Sequence, residues 1–200
     1  MENNAIICRN ISKSYGEKQV ISDLSFSMEY GGVYRVIGAS GCGKTTLLRL
    51  ICGLEKPDSG IITGVKREDI SYLFQEDRLF PWLSAIKNVE IASNDKNRRS
   101  LAEKLLLELG LDKDRDFHLL PSELSGGMSR RVAIARALIR NSKILILDEA
   151  LRGLDNENRA RCAEVIGSYS KGKTVIFVTH GEVTEYNGVF EGYKEISPIT

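Results

Sequence analysis

The sequence lacks the features that would place a protein across or outside a membrane. It has no run of 18 consecutive apolar residues, so no spanning helix is expected. Residues 1–10 carry no basic stretch leading into an apolar one, so no secretory leader is expected either. The four cysteines (Cys8, Cys42, Cys52 and Cys162) include no C-x-x-C pair, and His118 and His180 are not spaced to join them. That argues against a zinc site or a disulfide framework and for reduced thiols in a cytosolic protein. An excess of one charge is also missing. With 28 basic and 27 acidic residues the formal charge is +1, which leaves no global field to recruit nucleic acid or an anionic membrane. Internal repeats and low-complexity tracts are absent too. What remains is a 200-residue chain, 42% hydrophobic, long enough for one domain with a sizeable core.

Two textures alternate along it. Residues 5–30 alternate loosely between apolar and polar, with Gly16 and Glu17 as a turn, which predicts antiparallel strands. Four short apolar runs follow: Val33–Ile37, Ile70–Phe74, Ile144–Leu147 and Thr174–Val178. Runs of this kind read as buried parallel strands. Between them Leu101, Leu105, Leu106 and Leu109 recur at helical spacing before Gly110, and Val132, Ala135, Leu138 and Ile139 repeat the pattern in a helix near 128–140. The expected layout is one α/β domain over residues 1–200, with a core at 1–83 and 141–200 and a helical subdomain at 84–140.

The strand Val33–Ile37 runs straight into Gly38-Ala39-Ser40-Gly41-Cys42-Gly43-Lys44-Thr45-Thr46, and Leu47, Leu48, Leu50 and Ile51 continue as a helix. This is G-x-x-x-x-G-K-[ST] in its strand–loop–helix context. Glycines let the backbone close around phosphate oxygens with its N–H groups inward, and the helix adds its positive end. Lys44 is suited to bridge terminal phosphates, and the Thr45 hydroxyl to hold Mg²⁺. Cys42 has two readings: a thiol activated by the helix end, whose alkylation would block ATP binding, or an inert small residue.

Ile144–Leu147 ends in Asp148 and Glu149. Carboxylates at the carboxyl end of a parallel strand lie where such sheets bind ligands. Asp148 suits Mg²⁺, and Glu149 suits orienting or deprotonating an attacking water. A second candidate phosphate element, Leu124-Ser125-Gly126-Gly127-Met128, opens a helix, with Ser125 placed to cap it and the glycines exposing N–H groups.

With these residues in order the chain resembles an ATP-binding-cassette (ABC) ATPase subunit over nearly its whole length. Gly38 to Thr45 match the Walker A loop, Asp148 and Glu149 Walker B, and Leu124 to Met128 the LSGGQ signature. Tyr15 matches the aromatic residue that stacks on adenine, Gln75 the Q-loop, Gly153-Leu154-Asp155 the D-loop and His180 the switch histidine. The resemblance implies a P-loop NTPase (RecA-like) core with an antiparallel β subdomain and an inserted α-helical subdomain. It implies ATP and Mg²⁺ as ligands, with Thr45, Gln75 and Asp148 at the metal and Glu149, His180 and Gln75 in hydrolysis. Two domains would face head to tail, Ser125, Gly126 and Gly127 of one capping the ATP held by residues 38–46 of the other. Tyr15 as a plain strand residue and His180 as a core histidine are the bland alternatives.

The stretch Phe74–Leu83 resembles subunits of bacterial importers for nitrate, sulfonates and taurine. That implies a peripheral cytoplasmic ATPase on the inner membrane face, a separate transmembrane permease, a second ATPase copy, a solute-binding protein and no nucleic acid. Trp82, with Phe80, forms either a docking surface or part of the helical core. Three positions depart from the family pattern: Met128 for Gln, Ala150 for Pro, and Gly181 for an acidic residue. With Thr200 last, a regulatory C-terminal domain is not expected. A soluble role such as Fe–S cluster assembly is the alternative hardest to exclude by motif.

Overall fold

A computed structural model describes residues 4–179, 186, 189, 190 and 192–198. Two sheets organise it. Asn4–Tyr15 (β1) and Lys18–Glu29 (β2) form a long antiparallel hairpin through the Gly16-Glu17 turn, where Gly16 takes φ +60°. Ser59–Thr63 (β4) pairs antiparallel with the other edge of β1. The second sheet is parallel, built from Val33–Val36 (β3), Ile70–Leu73 (β5), Ile144–Asp148 (β6), Thr174–Val178 (β7) and Lys194–Ile196 (β8). Its strand order is β5-β6-β7-β3-β8.

The helices are Lys44–Ile51 (α1), Ala85–Glu90 (α2), Arg98–Glu108 (α3), Gly126–Leu138 (α4) and Asn156–Ser170 (α5). Every residue of β6 and β7 is buried. The cause is that both faces of the parallel sheet are covered, which is why these strands read as continuous apolar runs. Leu145, Leu147, Val175 and Phe177 pack into one cluster with α2 to α5. Ile144, Ile146, Ile176 and Val178 pack into the other, with α1 and the antiparallel sheet. Leu47, Leu48, Leu50 and Ile51 of α1 are all at least 98% buried, each contributing about 1.5–3 kcal/mol of apolar transfer. That burial, more than helix propensity, fixes α1 and so the loop before it.

The expected α/β class with an antiparallel sheet is what the chain forms. Elements not anticipated are β4, α5 and β8, of which β4 is mostly exposed and has little apolar patterning to betray it. The helix expected near 128 begins at Gly126, inside the S-G-G run. Of the leucines at helical spacing, Leu101 is 38% exposed while Leu105, Leu106 and Leu109 are buried.

Candidate active site

The carboxyl ends of β3 and β6 flank that of β7, which brings the loop after β3 and the carboxylates after β6 to one edge. Val36 leaves the sheet, the chain turns through Gly38 (φ +142°), Gly41 (+77°) and Gly43 (+100°), and α1 begins at Lys44. Gly43 has no alternative here, since a Cβ would lie 2.7 Å from Val20 Cγ1 and 3.1 Å from the Val20 carbonyl. Lys44 Nζ donates to the carbonyls of Gly38 (2.7 Å) and Ala39 (2.9 Å), so the ammonium arches over the loop. The recess in front is about 320 Å³, lined among others by Tyr15, Ser40, Lys44, Thr46, Gln75 and Glu149.

Cys42 is buried, and a Cβ on Gly38 would collide with its sulfur. The thiol lines a separate recess with Val20 and Pro198, and the Cys42 N–H donates to Ala39 O at 3.3 Å. The side chain therefore packs beneath the loop, outside the recess lined by Lys44, and the activated-thiol reading gains no geometric support.

Asp148 is 1% exposed. Its Oδ2 accepts from the Tyr72 hydroxyl (3.1 Å) and the Thr45 hydroxyl (3.3 Å), while Oδ1 has no hydrogen-bond partner among the described residues. Burial, the largest cause, pushes this carboxyl above the ordinary carboxylate range. The Tyr72 hydrogen bond opposes that, and the adjacent Glu149 charge adds to it. A buried acceptor left without a donor is costly unless a ligand meets it. A hydroxyl beside a carboxylate oxygen is the hard donor set Mg²⁺ takes. Both observations fit an ion held by one or two protein oxygens together with substrate phosphates. Such an ion would neutralise the buried charge and screen the phosphate oxygens.

Glu149 adopts φ +51°, an uncommon backbone for a residue with a Cβ and of the sort that gathers at functional sites. Its side chain is 93% buried. Oε2 accepts from Gln75 Nε2 at 3.2 Å and from Arg152 at 3.1 Å. So Gln75 and Glu149, 74 residues apart, meet at the recess.

Tyr15 ends β1, 46% exposed at the rim, its hydroxyl donating to the Glu55 carboxylate. Ser125 caps α4 by accepting the Met128 N–H (3.2 Å). Ser125, Gly126 and Gly127 do not line the recess of their own chain. Asp155, assigned to the D-loop, caps α5 through the Asn158 N–H at 2.9 Å. His180 lies outside the described residues. Trp82 is 71% exposed, its ring 5.6 Å from that of Phe80, so the core alternative for it falls. The buried Asn88 holds that loop out, accepting the Phe80 N–H (2.8 Å) and donating to Leu83 O (2.8 Å).

Sequence reasoning missed Tyr72, Arg152 and Arg130. The first two show only as a strand aromatic and a loop cation. Arg130 follows the S-G-G run by three residues and reads as a surface position on a helix, yet it is 4% exposed.

A phosphate loop on one strand end of a parallel sheet, facing a carboxylate pair on another, defines a P-loop nucleoside triphosphatase. The sequence pattern of the ABC transporter family matches residues 21–152. The chain is 40% identical over 188 residues to the aliphatic sulfonates import ATP-binding protein SsuB of Zymomonas mobilis, covering 90% of this chain and 77% of that protein. It is 38% identical to the protein of that name from Rhodopseudomonas palustris, covering 88% and 65%, and 40% to that from Bacillus cereus, covering 87% and 72%. Among solved structures it is similar to the ATP-binding cassette MJ0796, in a dimeric post-hydrolysis state bound to ADP and Pi. That match has a TM-score of 0.83 at 29% identity and covers 96% and 94% of the two chains. The chain belongs to the ABC transporter family, as an ATP-binding, ATP-hydrolysing cassette.

Proposed function

We propose that this chain is the ATPase subunit of a membrane importer, acting as a pair of copies closed around two ATP molecules. The observation that carries the pairing is the separation of two phosphate-binding elements. One, residues 38–46 with Asp148 and Glu149, surrounds a recess, whereas Ser125 and Gly126 stand exposed and Gly127 half-buried at the start of α4, and none of the three lines it. A helix start with two glycines and a serine is an anion site, and a second copy would bring it to the γ-phosphate. In each site Lys44 would neutralise the terminal phosphates, Glu149 would take the proton of the attacking water, and Gln75 would hold Glu149 and that water in register. His180 would hold the γ-phosphate, and Tyr15 would stack on the adenine. Residues 84–140 would form the helical subdomain, and 1–83 with 141–200 the core.

The partner that receives the work would be a permease. A groove of about 980 Å³ opens between the core and α2 to α4, lined by Phe74, Phe80, Ile91, Leu101 and others, and Trp82 stands exposed beside Phe80. Leu101, exposed at the groove while Leu105 and Leu106 of the same helix are buried, fits a docking face better than a core. No described helix is long and apolar enough to cross a membrane, so the channel would be another chain, on whose cytoplasmic side this one sits. A solute-binding protein would complete the system, and the names of the relatives point to a small organic anion such as an aliphatic sulfonate. Those same relatives are import subunits, which favours import over Fe–S assembly.

The test is co-purification in mild detergent of a tagged Glu149→Gln chain loaded with ATP. A multi-spanning membrane protein in near-equal amount supports the importer, and Trp82→Ala is expected to deplete it while leaving basal ATPase intact. Soluble partners alone would overturn the reading.

A further inference from the structure

Arg130 is the most heavily hydrogen-bonded side chain around the site, and no motif accounts for it. Its Nε donates to Ala150 O (2.8 Å), one terminal nitrogen donates to Glu149 O (2.7 Å) and Asp148 O (3.2 Å), and the other to Phe74 O (2.8 Å), Gln75 O (3.3 Å) and Asp77 Oδ1 (3.1 Å). Five of these six acceptors are backbone carbonyls, from two segments, 74–75 and 148–150, that sequence separates widely. The side chains of those segments meet in the Gln75–Glu149 hydrogen bond, 3.2 Å long. We propose that Arg130 is a positioning residue for ATP hydrolysis, its guanidinium bolting the Gln75 and Glu149 backbones together so that the amide and the carboxylate share one geometry.

The chemistry favours arginine over any other residue. A planar fork with five N–H donors can face two segments at once, whereas an ammonium offers three donors from one point. Burying that cation costs solvation, which the carbonyl dipoles and Asp77, 3.1 Å away, offset. Arg130 is also rooted in α4, the helix whose exposed start carries Ser125, Gly126 and Gly127. A displacement of that helix therefore reaches both water-handling residues through one side chain. Arg131, the next residue, shows the contrast. It donates to Leu109, Gly110 and Gly127 carbonyls and touches neither segment.

The inference rests on Glu149 and Gln75 acting in hydrolysis. Rapid turnover by Glu149→Gln would remove that premise, and the measurement on Arg130 is separate from it. Arg130→Lys and Arg130→Gln of the full chain are assayed for kcat and KM with Mg-ATP, and for ATP affinity in the Glu149→Gln background. A misplacement of about 1 Å at a reacting group costs on the order of 100-fold. The expected loss in kcat is thus about 100-fold for Arg130→Gln and at least tenfold for Arg130→Lys, with KM and ATP affinity within about threefold of the parent. Because both changes break the same pairing, Arg130→Gln combined with Gln75→Ala is expected to be no slower than about threefold below the slower single variant. Lysine retaining a third or more of kcat overturns the proposal, as does a loss of ATP affinity equal to the loss of kcat, or losses that multiply in the double variant. Should Arg130→Gln fail to fold, the same criteria apply to Arg130→Lys, alone and with Gln75→Ala.

Discussion

Two glycine-rich helix starts in this molecule look alike in sequence and differ in what surrounds them. At the start of α1, Gly43 has φ +100° and the Val20 side chain and carbonyl occupy the space a Cβ would need. Lys44 and Thr45, the next two residues, are already bonded to Gly38, Ala39 and Asp148. At the start of α4, a Cβ on Gly126 would meet nothing within 4 Å, and one on Gly127 only Leu154 at 3.8 Å. The first set of glycines is demanded by the chain's own fold. The second is not, and glycine in a helix costs about 1 kcal/mol relative to alanine. The difference teaches that the glycines of residues 38–46 are shaped by packing within one copy, while the start of α4 keeps an open face, which is what the proposed pairing with a second copy requires.

Breaking the self-contained element has the largest expected effect. Lys44→Ala is expected to weaken ATP binding at least 100-fold by calorimetry, because the terminal phosphates lose their only nearby ammonium among the residues lining the recess other than Lys18. A tenfold change or less would mean that the loop amides alone hold the phosphates. Gly126→Ala sharpens the contrast from the other side. It is expected to raise the melting temperature by about 2–4 °C, the effect of ~1 kcal/mol in a domain of this size. At the same time kcat is expected to fall about tenfold, since the methyl group stands between the helix start and an incoming phosphate. Stability and activity moving together would contradict an external role for this glycine.

The smallest effect concerns Asp148. Its folded-state pKa is raised, mainly by burial, so the fold favours the neutral acid. Stability from this group is complete below the unfolded-state value and is lost as pH rises through the folded one. At neutral pH without Mg²⁺, Asp148→Asn is therefore expected to raise the melting temperature slightly. The gain should vanish as pH falls below the usual carboxylate range, and a destabilised Asn variant at neutral pH would show that the charge is already well compensated.

The two helix starts also show how far the sequence could be read. Gly38 to Thr46 form a contiguous string whose chemistry needs no partner distant in the chain, so its geometry follows from the strand before it and the helix after it. Asp148 and Glu149 were legible for the same reason, as the end of an apolar run. Arg130 was not, because an arginine after a helix cap is ordinarily solvated, and only the convergence of 74–77 with 148–150 buries it. Trp82 had two readings in sequence, and the choice fell to Asn88, whose buried amide pins the loop outward.

Local sequence determined the phosphate loop, the acidic strand end and the α4 cap, since each depends on the φ/ψ freedom of nearby glycines, short-range hydrogen bonds or an apolar run of strand length. Tertiary structure alone decided which of these elements share a recess, because that depends on parallel strands aligning their carboxyl ends. It also left Ser125–Gly127 out of the recess and joined Gln75, Arg130 and Glu149. The physical reason is that hydrogen bonds between residues more than 50 apart exist only once both faces of the parallel sheet are buried, and no local pattern encodes that.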